Sequence, residues 1–146
     1  SSNEFQPLLV LDIERGHDIK DNDAVISELG LVGRVSSRGL TTAEVLLIHD
    51  IRSSIPIVSE SSFLHATLSG AGLERKGQLK YVKKTAKFSV GEKVYTSGLG
   101  EIFPSGILVG EIYSIHDPAD SEFLEIEISF SQTPINRDYF LIYQHE

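Results

Sequence analysis

The chain has 146 residues, a formal charge of −8, 40% hydrophobic residues and 23% charged residues. These fractions are ordinary for a folded domain and exclude a disordered tail, a collagen-like repeat and a disulfide-stapled miniprotein. Cys is absent, which removes thiolate zinc sites and thiol nucleophiles, and the acidic balance argues against nucleic acid, whose phosphates need a basic surface.

The apolar runs Leu8–Leu11, Val45–Ile48 and Ile107–Val109 are far shorter than the roughly 20 residues of a spanning helix. Nothing at the N-terminus reads as a leader peptide. Met is absent even at position 1, so the chain is expected to be a processed or excised piece of a longer one.

In chain order, β-rich runs occur at Leu8–Ile13, Ala24–Glu28, Leu31–Ser36, Ala43–Ile48, Ile55–Val58, Phe63–Leu68, Gln78–Val82, Lys93–Thr96, Ile107–Ile115, Glu122–Phe130 and Tyr139–Tyr143. The clearest is Glu122–Phe130, where Leu124, Ile126, Ile128 and Phe130 alternate with Glu125, Glu127 and Ser129, the period-2 pattern of a half-buried strand. Gly, Ser, Asp and Pro punctuate these runs, and no sustained helical stripe interrupts them. About eleven short strands predict an all-β barrel or sandwich fold.

An internal echo accompanies the strands. Asn22–Ser27 leads into Gly30-Leu31-Val32-Gly33-Arg34-Val35, and Gly91–Thr96 leads into Ile107-Leu108-Val109-Gly110-Glu111-Ile112. Two related hairpins predict two similar small barrels. Counting strands so that neither barrel keeps an open edge predicts a nested division: residues 31–85 as one barrel, residues 1–30 and 86–146 as the other.

The segments Gly30–Val35, Ala43–Ile48 and Ile55-Pro56-Ile57, followed by Val90-Gly91-Glu92-Lys93-Val94-Tyr95-Thr96-Ser97-Gly98-Leu99-Gly100 and Phe103-Pro104-Ser105-Gly106-Ile107-Leu108-Val109-Gly110, resemble the bacterial rod shape-determining protein family MreC. The resemblance runs from about residue 8 to about residue 130, and the last two segments carry most of it. It implies an extracytoplasmic head of two packed six-stranded-type β-barrels with chymotrypsin-like double-barrel architecture. It also implies a single-pass tether and a coiled coil ahead of the head, at the inner membrane. The implied role is that of a non-enzymatic scaffold of the cell-elongation machinery in peptidoglycan synthesis. Its implied partners are a class B penicillin-binding transpeptidase, MreD, the MreB system and itself, and no cofactor is implied.

Because that architecture is shared with serine hydrolases, an enzyme is the alternative reading. His17, His49, His65, His116 and His145 offer bases, with Asp50 and Asp117 adjacent in sequence to two of them; adjacent strand residues point to opposite faces. Ser105 lies in a Pro-Ser-Gly turn, but no Gly-x-Ser-x-Gly elbow accompanies it. The scattered His residues do not form a metal-binding spacing, and Gly98-x-Gly100 has Phe103 where a nucleotide loop needs a third Gly. A self-assembling structural protein is the third reading.

Candidate partner contacts are the residues whose apolarity a single buried face does not explain. Tyr139-Phe140-Leu141-Ile142-Tyr143 is apolar on both faces, and Phe63 and Leu64 also point in opposite directions. The glycines around Phe103-Pro104 fix Phe103 in one pose, either as a barrel plug or as an anchor. The candidate contact set is therefore Phe63, Leu64, Phe103, Tyr139, Phe140 and Tyr143. Six of the thirteen basic residues, Arg75, Lys76, Lys80, Lys83, Lys84 and Lys87, crowd into 75–87. This basic patch is expected either to steer the chain toward an acidic partner or anionic lipid head groups or to protect a strand edge.

Overall fold

Alternating apolar residues separated by short turns produce antiparallel pairing throughout. The structure is a computed structural model that describes residues 9–72, 76–132 and 141–143. Its strands are β1 (Leu9–Asp12), β2 (Ala24–Ser27), β3 (Gly30–Arg38), β4 (Thr42–Leu47), β5 (Ser54–Ser59), β6 (His65–Gly70), β7 (Lys76–Lys83), β8 (Lys93–Thr96), β9 (Leu108–His116), β10 (Phe123–Phe130) and β11 (Leu141–Tyr143). Each run read from the sequence overlaps one of them.

Six strands close into a barrel in the order β10-β7-β6-β5-β8-β9, and five form a second sheet in the order β1-β4-β3-β2-β11. The all-β class with a closed six-stranded barrel and a second β unit is therefore observed. The division of the chain differs from the expected one. The barrel is the inserted unit and spans residues 54–130, not 31–85, while β3 and β4 pair with β1 and β2 in the sheet. Counting edges does not say which strand faces which. The buried faces decide it, because Val32, Val35, Val45 and Leu47 share one core with Val25, Leu9 and Leu11.

The barrel core contains Ile55, Ile57, Leu68, Leu79, Val94, Val109, Ile112, Ile126 and Ile128, and it extends to Ala24, Leu31 and Ile48 of the sheet unit. These last three side chains are fully buried and join the two units. The approach is close at Gly30, whose φ is +141° and where an added Cβ would stand 2.5 Å from the Leu108 carbonyl oxygen. Only glycine tolerates both conditions.

The echoed hairpins prove to be equivalent in detail. Val25 pairs with Gly33 in β2–β3, and Val94 pairs with Gly110 in β8–β9; a register shift follows immediately in both, at Val25/Ile26 and at Val94/Tyr95. The order β11-β2-β3-β4-β1 in the sheet runs parallel to β5-β8-β9-β10-β7 in the barrel.

Strand direction sorts the barrel connections to two ends. The linker 48–53, the loop 97–107 and residues 131–132 lie at the end that faces the sheet. The β5–β6 turn (60–64), the β7–β8 connection (84–92) and the β9–β10 connection (117–122) lie at the far end.

Candidate docking surface

Polar residues dominate the far end, so its exposed aromatics need a local cause. The β5–β6 turn supplies the first. The Phe63 N–H donates to the Ser59 carbonyl at 3.1 Å, and the Ser59 N–H donates to the Leu64 carbonyl at 2.9 Å. Ser59 Oγ accepts from the Leu64 N–H at 3.0 Å and lies 2.9 Å from Ser62 Oγ. The turn forces Phe63 to φ 53° and leaves its side chain 76% exposed.

Beneath the turn lies the carboxylate of Glu92, itself buried. Its Oε2 accepts from the Ser61 N–H at 2.9 Å, the Ser62 N–H at 2.7 Å and the Ser62 hydroxyl at 2.7 Å. Its Oε1 accepts from the Ser89 N–H at 3.2 Å. Burial pushes this carboxyl up, but the hydrogen bonds from Ser62, Ser89 and Ser61 outweigh burial and hold it below the ordinary glutamate value.

A second exposed aromatic comes from a β-bulge. Strict alternation along Leu79-Lys80-Tyr81 would turn Tyr81 into the core with Leu79. Instead Leu124 pairs with Val82 and Ile126 with Leu79, so Lys80 and Tyr81 together oppose Glu125. The extra residue sends both outward, as bulges do. Tyr81 has φ 56°, is 78% exposed, and is braced edge-on by Phe123 at 5.5 Å between ring centroids. A bulky residue in the left-handed region persists only where its surroundings over-determine it.

Tyr81 borders a groove of about 380 Å³, lined also by Leu64, which follows Phe63 in the chain, by Ala66 and Val82, and by Phe88 along the β7–β8 connection. Lys80, Lys83 and His65 also line it. No acidic side chain is among its lining residues.

The sequence-derived contact set divides accordingly. Phe63 and Leu64 lie at this surface. Tyr143 is exposed on β11, the edge strand of the sheet, and not at the far end of the barrel. Tyr139 and Phe140 lie outside the described residues. Phe103 is not a surface anchor, since it is buried in the barrel core. The loop 97–106 folds back on Thr96, whose hydroxyl donates to the Pro104 carbonyl at 2.6 Å and whose carbonyl accepts the Gly106 N–H at 2.8 Å. That closure turns Phe103 inward.

The basic patch divides too. Lys76 Nζ sits 3.8 Å over the Tyr113 ring and 3.8 Å from Glu127. Lys84 bonds Asp117 and the Pro118 carbonyl. Lys80, Lys83 and Lys87 are exposed, the first two along the groove. Arg75 lies outside the described residues. Tyr81 was missed in the sequence, where nothing distinguishes it from an ordinary inward strand residue.

For the hydrolase alternative, the candidate groups are dispersed. His17 is exposed and 3.3 Å from Glu14. His49 is buried edge-on against Phe130 at 4.9 Å, and Asp50 pairs with Arg52 at 2.7 Å. His65 and His116 lie near the far end of the barrel, while exposed Ser105 sits on the loop facing the sheet. His145 lies outside the described residues.

Comparison with known proteins adds the following. A family model described as "Rod shape-determining protein MreC, barrel core" matches residues 1–144. The chain is 34% identical over 112 residues to the cell shape-determining protein MreC of Cereibacter sphaeroides, which covers 77% of this chain and 37% of that protein. The chain thus spans little more than a third of that relative. Its fold is similar to the crystal structure of MreC from Pseudomonas aeruginosa, with TM-score 0.88 and 26% identity, covering 99% of this chain and 93% of that one. A likeness of fold alone, with TM-score 0.65 and 15% identity over 87% of this chain and 90% of the other, extends to the complex between Penicillin-Binding Protein (PBP2) and MreC from Helicobacter pylori.

Proposed function

The chain belongs to the MreC family of rod shape-determining proteins, and from that premise we propose that it is the head of a non-enzymatic scaffold that docks a penicillin-binding protein on the far end of its barrel. The observation that carries this reading is the backbone of the two most exposed aromatics among the described residues. Phe63 and Tyr81 both hold left-handed conformations while their rings stand in solvent. Exposed aromatic surface is unfavourable by about 25 cal/mol per Å², and neither ring contributes to a core that would repay it. Aromatics fixed beside a groove have the properties of interface hot spots. Lys80 and Lys83 add a positive rim for steering.

The family reading supplies the finer terms of the proposal: the partner is the elongation transpeptidase, the site of action is the extracytoplasmic face of the inner membrane, and the assembly includes MreD and the MreB system. The named PBP2 complex of the Helicobacter pylori relative supports a penicillin-binding partner.

Calorimetric titration of the partner's soluble extracytoplasmic domain into the wild-type head and into F63A and Y81A tests it. A loss of affinity of at least thirtyfold in each variant is expected. Unchanged affinity in both would remove the far end from the interface.

A further inference from the structure

The docking turn is closed by its own bonds at Ser59, and a second set of bonds holds it from outside. Glu60-Ser61-Ser62-Phe63 contains neither Gly nor Pro, yet it places an aromatic residue at φ 53°. The hold from outside comes from one buried side chain, Glu92, immediately ahead of the neighbouring strand β8. Glu92 receives two backbone N–H groups and a hydroxyl from the turn through Oε2, and through Oε1 it receives the N–H of Ser89. Ser89 follows Phe88, which forms a wall of the groove, and Phe63 follows Ser62. A single carboxylate therefore ties together the two segments that frame the groove. Its neighbour Lys93 adds a backbone tie, its carbonyl accepting the Glu60 N–H at 2.9 Å.

We propose that Glu92 is the positioning residue of the docking surface: its carboxylate sets the Phe63 turn and the Phe88 wall in the one arrangement the partner binds, while the carboxylate itself lies beneath the turn. The inference rests on the docking reading above and adds a residue to it. An ionised carboxylate suits the task because it is acceptor-only on both oxygens. All four donors point at it, so an amide in its place would turn an NH₂ group toward one of the two segments. A shorter acid would keep the charge but lose the reach across to Ser61 and Ser62.

Two variants separate the claim from general destabilisation. Glu92→Asp keeps the charge and the short reach to Ser89, and Glu92→Gln keeps the length but not the acceptor pair. Both are expected to raise the Kd for the penicillin-binding domain at least tenfold. In both, the Ser61 and Ser62 amides are expected to lose hydrogen-exchange protection by a larger factor than amides of β9 and β10. In a Phe63→Ala background, Glu92→Asp is expected to raise the Kd by a clearly smaller factor than in the wild-type background, because only the Phe88 wall is then left to position.

The proposal fails if Glu92→Asp weakens binding equally in both backgrounds, or if the Ser61 and Ser62 amides stay protected. If Phe63→Ala weakens binding and Glu92→Asp does not, the positioning role alone is overturned. If Phe63→Ala leaves binding intact, this inference falls, and if Tyr81→Ala leaves it intact as well, the docking reading falls with it.

Discussion

Asp23 and Glu92 occupy the same place in two copies of one hairpin. The Lys20 N–H donates to Asp23 Oδ2 at 2.9 Å, and the Ser89 N–H donates to Glu92 Oε1 at 3.2 Å. The backbone bonds around them match. Asp23 N–H to Lys20 (3.2 Å) corresponds to Glu92 N–H to Ser89 (3.1 Å), and Val35 N–H to Asp23 (2.9 Å) corresponds to Ile112 N–H to Glu92 (2.8 Å). Each acid closes its own turn. The extra methylene of Glu92 gives it a second function, the hold on the β5–β6 turn.

The first prediction concerns acid. Glu92 titrates below the ordinary glutamate range, and Asp50 is lowered as well, chiefly by the hydrogen bond from the Arg52 guanidinium, with burial opposing and the Arg52 N–H and charge assisting. A carboxylate depressed in the folded state contributes stability that is complete above its unfolded pKa and is lost as the pH falls through its folded value. Glu92→Gln should therefore destabilise the head by about 2 kcal/mol at neutral pH. The gap to wild type should narrow as the pH drops below about 4, as read by urea unfolding across a pH series.

A second prediction separates display from stability. Asn accepts the left-handed region more readily than Phe or Tyr. Phe63→Asn and Tyr81→Asn should leave the melting temperature within about 2 °C of wild type, because surface changes shift stability by only about 0.5 kcal/mol. Both should still lose the partner. A large drop in melting temperature would show that these rings serve the fold.

Backbone contact makes a third. An added Cβ at Gly33 would stand 2.1 Å from the Leu46 carbonyl oxygen, and at Gly110 2.3 Å from that of Ser129, whereas at Gly39 the nearest atom is Thr42 Oγ1 at 3.3 Å. Gly33→Ala and Gly110→Ala should each destabilise by about 3 kcal/mol, since a strand cannot yield that far without breaking its ladder. Gly39→Ala should be near neutral by thermal unfolding.

Charge gives the fourth. Lys80 and Lys83 line the groove, whereas Lys84 is bonded to Asp117. The double variant K80E/K83E should slow association with the penicillin-binding domain about tenfold at low salt, and much less at high salt, where screening is strong. The charge-matched double variant K76E/K84E, at two lysines engaged elsewhere, should slow it far less. Equal slowing by both, measured by stopped flow, would point to net charge and not to the groove.

How far the sequence could be read depended on whether a signal was local. The period-2 alternation of Leu124, Ile126, Ile128 and Phe130 identified β10, and its buried pattern is observed. The repeated Leu-Val-Gly segments were legible as a pattern, and the structure gives its cause: a strand that meets a neighbouring carbonyl has room for Gly alone. Phe103 was ambiguous for the opposite reason: glycines can fix a pose without saying which way it faces, and the return of the loop to Thr96 decides that. Tyr81 was invisible, because a bulge is a property of two strands and its sequence shows only one of them.

The missing Met, the charge of −8 and the eleven β-rich runs remain what the chain states by itself. Composition and alternation determined an all-β fold, its strands and its duplicated hairpin, since each follows from neighbours a few residues apart. The tertiary structure alone decided that the barrel is residues 54–130, that Lys76 and Lys84 are engaged elsewhere, and that Glu92 reaches Ser61 and Ser62. These depend on which faces are buried together across long separations, where many pairings of similar strands satisfy the same local pattern and only mutual packing distinguishes them.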